Sequence, residues 1–180
     1  MPPLAALAVA IVAVSTSAIL IRWSSAPAAV AAFYRVLLTT LLLAPVAVLR
    51  YREQFRGLRR RDVAVAGVTG LALAAHFAAW FESLAWTSVA ASTTLVQAQP
   101  VFVAVGAALL LDERLSVRIL AGIAITVAGA AVMSAAELLG GAALAGARPL
   151  YGDALALLGA VMAAGYVLAG RSLRQRMPLI

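Results

Sequence analysis

Cysteine is absent from this 180-residue chain. Disulfides, thiolate metal sites and cysteine nucleophiles are excluded with it, while the redox compartment stays open. Histidine occurs once, at His76, so no second imidazole can join it in a zinc site. Charged side chains make up only 12% of the residues against 64% hydrophobic, too little charge to cover a soluble domain. An HExxH cluster is also lacking, and His76 and Ser83 lie about 10 Å apart along a helix axis, beyond hydrogen-bond reach. The chain therefore does not read as an intramembrane protease or any other enzyme, and no cofactor or metal is implied.

What fills the sequence instead is apolar runs. Residues 4–21, 28–49, 63–81, 88–111, 117–136 and 154–170 are each close to the length of a membrane-crossing helix, roughly 20 residues at about 1.5 Å per residue. They are continuously apolar, without the alternating polar residues that a barrel strand turns into its lumen. The fold expected is all-α, a polytopic bundle of six transmembrane helices. The first run lacks basic residues at its start and five more follow, so it reads as an uncleaved helix despite the small residues Ser24, Ser25 and Ala26.

A formal net charge of +7 suggests nucleic acid in a soluble protein, but its placement argues otherwise. Arg50, Arg52, Arg56, Arg59, Arg60 and Arg61 crowd the second gap. Arg114 and Arg118 sit in the fourth, and Arg171, Arg174 and Arg176 follow the sixth run. The other side holds only Arg22 and Arg148. The positive-inside rule then places the N-terminus and the even loops in the cytoplasm of a cell-membrane protein. The arginines report topology and contact with anionic lipid, not nucleic acid.

Very short gaps at residues 24–27 and 86–87 make consecutive helices antiparallel neighbours. Trp23, Trp80 and Trp86 fall toward the outer interface, where amphipathic rings are favoured, and anchoring accounts for Trp23 and Trp86. Gly122, Thr126, Gly129 and Ala130 share a face of the fifth span and are expected to form a close-packed seam. Asp112, Glu113 and Arg114 read as a structural turn, with Ser116 capping the fifth span. Residues 137–152 carry Gly140, Gly141, Gly146 and Pro149 and read as a linker.

Polar groups at bilayer depth are costly, which makes each a functional candidate. Arg35, His76 and Gln97, on three antiparallel spans, come within about 3–5 Å of the midplane on its outer side by rise arithmetic, suggesting one cavity. Thr69, His76 and Ser83 form a stripe along the third span, with Trp80 one turn beyond His76. Gln97 shares a face with Thr93, whereas Gln99 points about 200° away from it. Pro100 removes a backbone bond to Val96 and should kink the fourth span beside Gln97, providing a hinge. Structural readings stand beside these. Arg35 could snorkel or pair with Glu82 or a carbonyl; His76 could bond a neighbouring helix; Gln97 and Gln99 could be interhelical glue; Trp80 and Phe81 could face lipid; Tyr34 could anchor at the interface.

The stretch 82–134 resembles the fourth and fifth helices of an EamA-type repeat of the drug/metabolite transporter superfamily. The resemblance rests on the turn at Thr87 and Ser88, Pro100 in mid-helix, the turn at Asp112, Glu113, Arg114 and Leu115, and the glycines at 122 and 129. His76 and Phe77 followed by Trp80, the run Phe33, Tyr34 and Arg35, and the pair Gly152 and Asp153 are similar to further features of that family. The resemblance implies two five-helix inverted repeats working by alternating access, a secondary transporter exporting small metabolites, amino acids or toxic compounds. It would place a solute-binding cavity at Tyr34, Arg35, His76, Trp80 and Gln97. On that reading residues 1–137 are the first repeat, 138–150 a linker and 151–180 the start of a second repeat. Since one repeat must rock against another, the expectation is a fragment of a longer transporter. The alternative is a non-transporting module, or one whose missing helices come from a second chain. Small multidrug-resistance proteins, which resemble four-helix units with an embedded Glu in the first span, fit less well because residues 4–21 hold no acid.

Overall fold

The computed structural model describes residues 3–140 and 146–176, and every regular element in them is a helix. These are α1 (Pro3–Trp23), α2 (Ala28–Arg50), the short α3 (Arg52–Arg56), α4 (Arg60–Trp86), α5 (Val89–Val96), α6 (Gln99–Leu111), α7 (Val117–Gly140) and α8 (Pro149–Arg176). Among the described residues four stretches are long and apolar enough to cross a membrane: Ala28–Arg50, Arg60–Trp86, Val89–Leu111 and Pro149–Arg171. Leu7–Trp23 and Val117–Met133 are shorter apolar helices. The all-α membrane bundle expected from the sequence is the fold observed. Of the expected linker, residues 141–145 lie outside the described residues.

Local chemistry sets the ends. Ser88 caps α5, its hydroxyl accepting from the Ala91 N–H at 3.0 Å. Ser116 does the same for α7 through the Ile119 N–H at 3.3 Å. Asp112 stops α6 in the left-handed conformation, at φ 53°. The fourth apolar run is broken at Gln97 and Ala98, and Pro100 lies in the first turn of the helix that resumes. A proline suits a first turn because its missing N–H would be unpaired there anyway.

The centre of the molecule is the pairing of α4 with α8. Small residues line α8 at Gly152, Ala156, Gly159, Ala160 and Ala163, and all five are buried. They let the two backbones approach closely: a methyl group added at Gly159 would sit 3.3 Å from the His76 carbonyl oxygen and 3.4 Å from the Trp80 nitrogen. From the other side Trp80, Phe81 and Leu84 of α4 pack with Ala18 of α1, Ala32 of α2 and Val96 of α5. The seam expected on α7 is different. Gly122 and Gly129 have nothing within 4 Å of an added methyl, so that face borders open clefts.

Both ends of α8 are tied down. At its start the Arg148 N–H donates to the Trp86 carbonyl at 3.1 Å, and the Thr87 hydroxyl donates to the Asp153 carboxylate at 2.8 Å, both side chains buried. The Arg22 guanidinium reaches across from α1 to the Leu84 and Thr87 carbonyls. Trp86 therefore does more than anchor at an interface. Its ring meets Tyr151 edge-on at 5.6 Å, lies under Arg148, and its indole N–H donates to Glu82 at 2.8 Å. At the far end Arg171 pairs with Glu113 at 3.7 Å.

Gly152 packs more tightly than Gly159, with an added methyl falling 2.7 Å from the Thr87 backbone nitrogen. Gly152→Ala is expected to destabilise the bundle by about 1–3 kcal/mol through overpacking. Gly129→Ala, facing open space, should be neutral to within about 0.5 kcal/mol or slightly stabilising. Thermal melts of the two variants in one detergent check the contrast.

Candidate functional site

The polar stripe of α4 faces inward. Thr69 and Ser83 are buried, and His76 is half-buried between them. Thr69 returns its hydroxyl to the Val65 carbonyl at 2.7 Å, and Ser83 bonds both the Trp80 carbonyl and the Ser92 hydroxyl of α5. His76 crosses to α8, its Nδ1 lying 2.8 Å from the Gly159 carbonyl. A carbonyl only accepts, so Nδ1 carries the proton and Nε2 is the acceptor. The interhelical reading of His76 is thus the geometry observed.

Around that imidazole stands a cluster of rings. His76 stacks on Trp80 with centroids 6.0 Å apart and planes at 23°, and Phe77 and Phe81 complete the group. Trp80 and Phe81 are 5% and 2% exposed, so neither faces lipid. The indole N–H of Trp80 is buried without an acceptor. A buried donor left unpaired costs roughly 1–3 kcal/mol, and among the described residues this N–H is the buried side-chain polar atom without a partner.

Arg35 meets the same cluster from α2. Its guanidinium carbon lies 4.7 Å from the Phe77 ring centre and 5.9 Å from that of Phe81, and one nitrogen donates to the Ser17 hydroxyl of α1 at 2.6 Å. Among the described residues no carboxylate pairs with it; Glu82 is engaged by Trp86 instead. The charge rests on aromatic faces and a hydroxyl, a cation–π arrangement that strengthens as water is excluded.

Arg35, His76 and Trp80 are thereby joined through one aromatic cluster. Tyr34 and Gln97 are not. Tyr34 is 55% exposed and packs edge-on against Phe33. Gln97 is exposed and lines an open groove between α5 and α7 with Thr93, Thr126 and Met133. Gln99, on the other side of the helix break, lines a second cleft between α6 and α7 with Pro100. Rise along a helix fixes depth, but angle about its axis decides which cavity a side chain enters. Ser17 was legible as a polar residue inside an apolar run; nothing in the pattern marked Gly159 as a partner for His76.

Residues 2–135 match the EamA-like transporter family. The chain belongs to that family. No curated protein and no solved structure matches it. As an EamA-like protein it is a membrane transporter, and the matched segment holds Tyr34, Arg35, His76, Trp80, Gln97 and Pro100. The partners supplied by α8, Gly159 to His76 and Asp153 to Thr87, lie beyond the part that defines the EamA-like match.

His76→Ala removes one interhelical hydrogen bond and one ring contact. The expected loss is about 1–2 kcal/mol of bundle stability with membrane insertion intact. Denaturation in mixed micelles, alongside a protease-protection assay of insertion, measures both.

Proposed function

We propose that this protein is a secondary transporter that binds small solutes carrying a carboxylate or similar anionic group, and exports them by alternating access. The observation that carries this reading is a pair of donors inside the bundle that are uncompensated among the described residues: Arg35, over Phe77, without a carboxylate, and the Trp80 indole N–H, beside His76 and Phe77, without an acceptor. Ionisable groups held within a membrane bundle mark solute or ion pathways. A bound anion would satisfy the guanidinium and the indole together, with the free Nε2 of His76 available to accept from the solute's own donor. Tyr34 would stand at the rim of this site. Gln97 would enter it through movement about the helix break, with Pro100 as the hinge.

Residues 1–137 would then form the first repeat, 138–150 the linker and 151–180 the opening of a second repeat, in a cell membrane with the N-terminus in the cytoplasm. The bonds among Thr87, Asp153, Arg22 and Arg148 would close the outer end in the conformation described. A second reading, a module that works only with helices from a partner chain, is favoured by one feature. The small-residue face of α7 borders clefts rather than another helix.

Reconstitution into liposomes tests the proposal by uptake of labelled amino acids and small carboxylates. Arg35→Gln and Trp80→Phe should each lower the transport rate by about 10-fold or more, the loss expected when a charge-assisted or buried hydrogen bond to solute is removed. Insertion should be unchanged. Kinetics equal to the unmodified protein would sink the site; no transport by any variant, restored by a co-purifying partner, would favour the module.

A further inference from the structure

The transport site leaves the opposite side of α6 unexplained. There α6 and α7 stand apart, forming an open cleft of about 560 Å³. We propose that this cleft holds one anionic phospholipid, its phosphate bound by Arg114 and Arg171 and an acyl chain lying between α6 and α7.

Three observations point to a lipid. The first is length. The cleft follows α6 from Gln99 to the turn beyond Leu111, about 18 Å along the helix at about 1.5 Å per residue. One leaflet of a bilayer core is about 15 Å deep. A compact solute does not need such a slot; an acyl chain running from the headgroup level to the midplane does. The second is the division of chemistry along it. Between its ends the walls are apolar, with Val103, Ala104 and Ala107 on one side and Ile119 and Ile123 on the other; the charged groups gather at the mouth, and at the far end the polar lining is the uncharged Gln99 and Thr126. The third is the balance at that mouth. Arg114 and Arg171 face one carboxylate, Glu113, leaving one guanidinium in excess to match the single negative charge of a phosphodiester.

Two further features agree. Arg171 and Glu113 are 3.7 Å apart with both side chains about half exposed (46% and 55%), a loose pair that a phosphate can displace. Arginine presents a planar fork suited to phosphate oxygens, and basic pockets between transmembrane helices are a recurring headgroup site. On α7, Gly122 borders the cleft with open space above it, so the wall is recessed where the chain would lie.

The test is native mass spectrometry of the purified protein titrated with phosphatidylglycerol, against phosphatidylcholine as the zwitterionic control. One phosphatidylglycerol should be retained in preference to phosphatidylcholine. Combined Arg114→Gln and Arg171→Gln should weaken retention about 30-fold, and Glu113→Gln, which frees Arg171, should tighten it about fivefold. Arg59→Gln with Arg61→Gln, in the other basic loop, should leave it unchanged. Ala104→Phe fills the slot and should release the lipid with both arginines intact, which keeps the proposal decidable if the double arginine variant does not fold. Equal retention of phosphatidylcholine, equal loss in the loop control, or undiminished retention by Ala104→Phe would overturn it. So would photo-crosslinking from residue 104 that captures a protein segment in place of lipid.

Discussion

Close approach of the α4 and α8 backbones is the constraint on which the rest of this structure depends. Within hydrocarbon there is no apolar solvent penalty to drive two helices together, so contact depends on van der Waals packing and on hydrogen bonds between them. The run of glycine and alanine on α8 provides the first, and His76 with Gly159 and Thr87 with Asp153 provide the second. Larger residues on α8 would hold the helices apart and break both bonds. The aromatic cluster that positions Arg35 begins at this pairing, with His76 and Trp80 against α8 and Phe77 and Phe81 carrying it on to Arg35. Packing, polar satisfaction and the candidate site are therefore not separable.

Arginine is handled in three ways along the bundle. Arg22 gives its donors to backbone carbonyls at the end of α4, where the helix has carbonyls to spare. Arg35 rests on rings and a hydroxyl. Arg171 meets a carboxylate at the exposed end. Among the described residues neither Arg22 nor Arg35 meets an anion, but Arg22 has carbonyls to bond whereas Arg35 has rings and one hydroxyl, inside the bundle, where desolvation makes an unmatched charge most costly. A protein under selection for stability alone would have little reason to keep it.

The helices, their antiparallel order and most of their ends were legible in the sequence, because hydropathy, serine caps and Pro100 act through nearest neighbours along the chain. Facing was less so. Depth arithmetic put Arg35, His76 and Gln97 at one level, but the turns broken at Gln97 and Ala98 set Gln97 toward α7. The small-residue pattern points to a seam on α7, whose glycines border open space, while the packed seam is on α8, where Gly152, Ala156, Gly159 and Ala163 recur at three- and four-residue intervals and are buried. A pattern of small residues says that a helix can be approached closely; which neighbour approaches depends on the three-dimensional arrangement, and that is not a local property. Trp80 reads from the sequence either as a cavity residue or as one facing lipid near the outer side; it lies in the core, with Gly159 of α8 packed against it.

The position of α8 at the centre also has a consequence for biosynthesis. A ribosome delivers α1 to α7 to the membrane before α8, yet the partner of His76 lies 83 residues downstream and that of Thr87 lies 66. Until then the early helices must keep a slot open, with an imidazole, a threonine hydroxyl and a row of backbone carbonyls facing lipid or each other. Pairings so distant in the chain form late and slowly. Assembly thus passes through a stage in which α1 to α7 have been delivered while the α8-facing side of α4 is still unpaired, and the arrival of α8 closes that slot.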